Sequence, residues 1–157
     1  TMTVAKKFNY RTIWGLQNSE TQYWSFLNNT VNNPRAPITD ANTGKTYYEQ
    51  ICVCAAAQQS YMSLATATSR NHGVTFYNQW KQAFKYRPKI VILTWWNEWV
   101  AQRQPNGEFV DLYTPEYSRD LEPMKGGFGD QYYQWMIQYI AAYKGHKECP
   151  RLVEAGY

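Results

Sequence analysis

The chain has 157 residues, 16 Lys and Arg against 12 Asp and Glu, and a net charge of +4. Only 18% of residues are charged while 44% are hydrophobic and 17% aromatic, which excludes a disordered tail and indicates a single domain with an ordinary core. No apolar run is long enough to span a membrane, and Lys and Arg form no cluster that would suit a nucleic acid. Seven Trp and fourteen Tyr are the informative excess. Flat aromatic faces stack on the C–H faces of sugar rings, so they favour carbohydrate binding alongside their commoner use in cores. Cys52, Cys54 and Cys149 are too few for a disulfide scaffold. With no C-x-x-C pair, and with His72 and His146 far apart, no zinc site is expected and no cofactor is implied.

In chain order, the first strand is expected at Phe8–Trp14, followed by a helix starting near Ser19 with capping-box spacing to Gln22. A polar loop then runs from Asn28 to about Thr46 and contains the turn-forming Asp40-Ala41-Asn42-Thr43-Gly44. The apolar run Gln50–Ala56 reads as a second strand buried on both faces, with Cys52 and Cys54 as small buried thiols on one face. Phe76, Trp80, Ala83 and Phe84 recur at helical spacing and predict a helix over Thr75–Tyr86. Pro88 ends it, and Lys89–Trp95, with Ile90-Val91-Ile92-Leu93 at its centre, is the third strand. A long loop, Trp96 to Gly129, precedes a last helix that begins at Gly129-Asp130, with Asp130 as N-cap, and stops at Lys144-Gly145. Tyr132, Trp135, Met136, Tyr139, Ile140 and Tyr143 give that helix one broad apolar face.

Alternating strands and helices imply an α/β fold with a parallel sheet, either a small open sheet or part of a (β/α)₈ barrel. No strand is followed by a glycine-rich phosphate loop. The sharpest chemical feature is Thr94-Trp95-Trp96-Asn97-Glu98-Trp99, at the carboxyl end of the third strand, where such folds place their sites. Indoles can hold sugar rings and exclude water around Glu98, while Asn97 can bond a sugar hydroxyl or orient Glu98. A Trp-rich strand end that closes a core, with Glu98 paired to an Arg, fits the spacing equally well. Glycoside cleavage usually takes two carboxylates. Glu122, in Ser118-Arg119-Asp120-Leu121-Glu122-Pro123, is the preferred second one, ahead of Asp120 and Asp111. Taken alone, that stretch is more often an ordinary turn with an Arg119–Asp120 pair. Arg70, Asn71 and His72 are further candidates for the same mouth.

Residues 89–145 resemble the end of glycoside hydrolase family 71/99-like proteins. The resemblance rests on Thr94 through Arg103, Phe109-Val110-Asp111, Ser118 through Gly127, and Gly129-Asp130-Gln131-Tyr132-Tyr133. It implies the C-terminal portion of a (β/α)₈ barrel acting on a poly- or oligosaccharide, in the neighbourhood of endo-α-mannosidases and α-glucanases. It makes Glu98 the catalytic carboxylate, as base or nucleophile. Family 99 enzymes carry a second glutamate three residues later, where this chain has Ala101. The acid is then Glu122 or a residue outside the chain, or the protein binds glycan without cleaving it. Trp95, Trp96, Asn97, Trp99, Arg119 and Asp120 are the expected substrate contacts. Three strands fall short of a barrel, and Thr1-Met2 has the look of a cut start. The expectation is therefore one incomplete barrel domain over residues 1–157, completed by a partner chain or a missing N-terminal half, in a secreted or periplasmic protein. A structural assembly subunit without glycan affinity is the remaining alternative.

Overall fold

The computed structural model describes residues 38–48, 50–56, 68–93, 96, 97, 103, 105 and 114–157. The expected first strand and helix, and the side chains of Trp95, Glu98 and Trp99, lie outside the described residues. The described part is a small mixed α/β structure. A short antiparallel hairpin, β1 (Ile38–Thr39) and β2 (Thr46–Tyr47), is followed by β3 (Gln50–Val53), α1 (Val74–Tyr86), β4 (Ile90–Leu93) and α2 (Gln131–Lys144).

The hairpin lies inside the segment read from sequence as a loop. Its turn was legible, its two-residue strands were not. The Asp40 carboxylate accepts the N–H groups of Asn42 (2.9 Å) and Thr43 (3.1 Å), and Gly44 takes the positive φ of 66° that closes the turn.

β3 and β4 pair in parallel, Gln50 opposite Ile90 and Val53 opposite Leu93, and α1 connects them as a βαβ unit. β3 is shorter than its apolar run, while the last two residues expected of the third strand, 94 and 95, lie outside the described residues. In β3, Ile51, Cys52 and Val53 are all buried, although successive side chains point to opposite faces, so both faces are covered. Cys54, Ala55 and Ala56 continue buried past the strand end, and neither Cys52 nor Cys54 is in a disulfide.

The helices fit together through aromatic rings. Phe76, Trp80 and Ala83 of α1 are buried against Tyr132, Trp135 and Tyr139 of α2, with Ile51 and Val53 beneath and Leu121 beside them. Trp80 stacks on Tyr139 (centroids 5.1 Å apart, 14° between planes), and Phe76 meets the same ring edge-on at 5.5 Å. Among the described residues, Trp80 and Trp135 are thus core residues. α1 ends at Arg87, in the left-handed region and followed by Pro88. Its guanidinium donates to the carbonyls of Tyr143 (2.7 Å) and Lys147 (2.9 Å), satisfying the end of α2 where a cation suits the helix dipole. Asp130 stands at the start of α2 without capping it by its side chain. Its backbone is not in the usual cap geometry, and its carboxylate accepts from Gln134 instead (3.1 Å).

Gly73 sits where the chain enters α1, at φ 91°. A Cβ there would lie 2.5 Å from the Trp135 ring. Gly73→Ala is therefore expected to cost about 2–4 kcal/mol, combining left-handed strain with overpacking, and urea unfolding measures it.

Burial pushes the Tyr132 hydroxyl up to about 12, with the neighbouring Arg70 charge opposing the rise. Burial also raises Tyr139, opposed by the hydrogen bond its oxygen accepts from the Leu152 N–H. A phenol with a raised folded pKa stabilises fully below the ordinary value near 10. That stability is lost as pH climbs, because the unfolded chain gives up its proton first. Stability is expected to fall between pH 10 and about 12, by up to about 3 kcal/mol for Tyr132 alone. Tyr132→Phe should flatten this limb in denaturation curves taken across that range.

Candidate functional site

The site begins where β4 delivers its last residues to the carboxyl edge of the parallel pair. Trp96 stands there 48% exposed, the most exposed Trp among the described residues, with Asn97 exposed beside it. The loop's later part returns to this point. The Trp96 carbonyl accepts both the Leu121 and the Glu122 N–H, each at 3.0 Å. Leu121 is buried in the core and fixes the segment from below. The Asn97 amide donates to the Glu122 carboxylate at 2.8 Å. Glu122 therefore lies against the residue next to Glu98, although 25 positions separate Asn97 and Glu122 in sequence.

Tyr133, on the first turn of α2, meets the Trp96 ring edge-on at 5.8 Å. Sequence reading missed it, because it lies off the apolar stripe that marks the core face. Its spacing to the exposed Ile137 is the four-residue step of a second face. The resulting arrangement holds an open indole, a phenol, an amide and a carboxylate within one surface region. Hydroxyl groups could bond the amide and the carboxylate while a ring face lies on the indole.

The loop is held from inside. Ser118, Arg119 and Asp120 are fully buried, and the Ser118 hydroxyl donates to the Asp120 carboxylate at 2.6 Å. Arg119 and Asp120, expected among the substrate contacts, are thus enclosed by protein. Arg70, a candidate for the same mouth, is also buried. Its Nε donates to the Pro115 carbonyl (2.8 Å) and its Nη2 to the Asp120 carbonyl (2.5 Å). The Phe128 and Tyr132 rings lie 4.0 Å and 4.3 Å from its guanidinium carbon. Burial lowers its pKa, opposed by the charges of Asp120 and Glu116. Arg70 is a strut between the start of α1, the loop and α2.

The turn Met124–Gly129 closes by reciprocal backbone bonds of 2.9 and 3.0 Å, and Gly126 takes a positive φ of 78°. The glycine pair therefore serves a tight turn. Asp111, Trp95, Glu98 and Trp99 lie outside the described residues. His72 is partly exposed and bonds Glu154 through Nδ1 at 2.8 Å. Among the described residues, no group of three or more His, Cys, Asp or Glu could hold a metal ion, and no helix is long and apolar enough to cross a membrane.

Comparison of the chain with protein-family models, with curated proteins and with solved structures finds no match. Function must therefore be argued from the residues.

Proposed function

We propose that the chain is a glycoside hydrolase-like domain acting on a poly- or oligosaccharide at the carboxyl end of β4. The observation that supports it is the 2.8 Å bond from Asn97 to Glu122, beside an exposed Trp96. It brings the second candidate carboxylate to the segment that carries Glu98, at the sheet end where parallel α/β folds bind their ligands. In this proposal Glu98 is the base or nucleophile and Glu122 the acid. Trp96 is a sugar platform, Asn97 orients Glu122, and Trp95 and Trp99 extend the walls. Arg119 and Asp120 hold the loop from within. The parallel pair is taken as two late strands of a (β/α)₈ barrel, as the resemblance to family 71/99-like proteins implies.

A glycan-binding protein without hydrolysis is the second reading. Ala101 favours it, since that position carries a glutamate in family 99 enzymes. The two share a binding test. Titration with α-linked gluco- and manno-oligosaccharides should quench tryptophan fluorescence saturably, and Trp96→Ala should weaken binding about 5- to 30-fold, the loss of about 1–2 kcal/mol of stacking. Full affinity in Trp96→Ala would remove Trp96 from the site. No binding of any glycan would leave the assembly-subunit alternative.

A further inference from the structure

A recess with a volume of about 360 Å³ lies between the loop, α2 and the C-terminal segment. That size is at the lower end of small-molecule sites, roughly 300–1,000 Å³. Its walls include Glu116, Glu154, Thr114, Phe128, Tyr132 and the strut Arg70. None of them belongs to the Trp96–Glu122 site.

The hydrogen-bond inventory of this wall is uneven. Glu116 uses Oε1 to accept the Asn71 N–H (2.8 Å), and Glu154 uses Oε2 toward His72 (2.8 Å). The other oxygen of each carboxylate makes no hydrogen bond to the described residues. Arg70 Nη1 and Thr114 Oγ1 are buried and also lack a hydrogen-bond partner. Orphaned buried polar atoms are rare enough in native proteins to require an explanation, a bound ligand or water among them. The charges narrow the ligand class. An anion drawn to Arg70 meets two carboxylates. A cation drawn to the carboxylates meets a buried guanidinium. A neutral molecule with several hydroxyls can donate to Glu116 and Glu154 while offering oxygens to Arg70 and Thr114. Phe128 and Tyr132 supply apolar surface for its C–H groups.

We propose that this recess binds a neutral polyhydroxylated ligand about the size of one sugar ring, independently of the site at Trp96. The test is titration of the whole chain, followed by amide chemical shifts in ¹H–¹⁵N spectra. The probes are methyl α-D-glucopyranoside, methyl α-D-mannopyranoside and myo-inositol, with methylammonium and acetate in parallel. At least one polyol should give saturable shifts at Glu116, Phe128, Tyr132 and Glu154. Glu116→Gln and Glu154→Gln, which keep an oxygen for the bond already in use, should each weaken binding about 10- to 100-fold, the loss of a hydrogen bond to a charged group. Trp96→Ala should leave these shifts unchanged, which separates this recess from the proposed glycan site. The proposal is overturned by shifts confined to Trp96 and Tyr133, by tighter binding of methylammonium or acetate, or by no saturable shift with any of the three polyols.

Discussion

Glu122→Gln is expected to lower glycan turnover about 10²- to 10⁴-fold while leaving the melting transition in place. That is the span commonly lost with a general acid. The substitution is nearly isosteric, and Gln keeps a carbonyl oxygen that can accept from Asn97, so the 2.8 Å contact survives. The backbone bond from its N–H to the Trp96 carbonyl is untouched. What disappears is the ability to give up a proton. Glu98→Gln should be at least as damaging, because either role assigned to it requires a carboxylate. Two arms separate the alternatives. A loss of turnover with unchanged oligosaccharide affinity identifies the acid. Near-normal turnover in Glu122→Gln makes Glu122 a structural residue and places the acid elsewhere. Measurement should use hydrolysis of labelled oligosaccharides by the full chain.

The second large effect is on stability. Arg70→Met is expected to cost about 3 kcal/mol or more. Methionine fills part of the space between Phe128 and Tyr132 but donates nothing. The carbonyls of Pro115 and Asp120 then lose their side-chain donor inside the protein, at about 1–3 kcal/mol each when left unsatisfied. Removing a buried charge returns part of this, since burial already works against the ionised guanidinium. Arg70→Lys should recover little, because an ammonium cannot span two carbonyls and lie flat against two rings. Urea unfolding of the two variants reports the difference. A cost below about 1 kcal/mol in Arg70→Met would show that the loop is held by other contacts. The same variant should loosen Glu122, since Asp120, whose carbonyl Arg70 holds, is two residues away.

These two predictions mark what the sequence made legible. The βαβ unit was readable because its signals are periodic. Phe76, Trp80 and Ala83 repeat at helical spacing, and Ile90–Leu93 is an uninterrupted apolar strand. The turn at Asp40 was readable from its residue types, but its flanking strands pair over only two residues each, too few for alternation to register. The return of the loop to the strand end is carried by Leu121, buried in the core, and by the Trp96 carbonyl. The role of Arg70 was not legible. Its partners lie 45 and 50 positions away and are backbone carbonyls, which leave no side-chain pattern to read. The burial of Arg119 and Asp120 was hidden for a related reason. Charged residues in a long loop read as exposed, and only tertiary packing encloses them. Asp130 shows the converse, a residue type suited to capping whose carboxylate finds Gln134 instead.

The central claim is that Glu122 and the Glu98 segment form one glycan site at the end of β4. A crystal structure of the Glu98→Gln chain with a bound oligosaccharide tests it most directly. The account predicts a sugar ring lying on the Trp96 indole, with the Glu122 carboxylate and the substituted residue 98 both within hydrogen-bonding reach of one glycosidic linkage. An oligosaccharide bound without contact to Trp96, or a side chain at residue 98 directed away from Glu122, would contradict it.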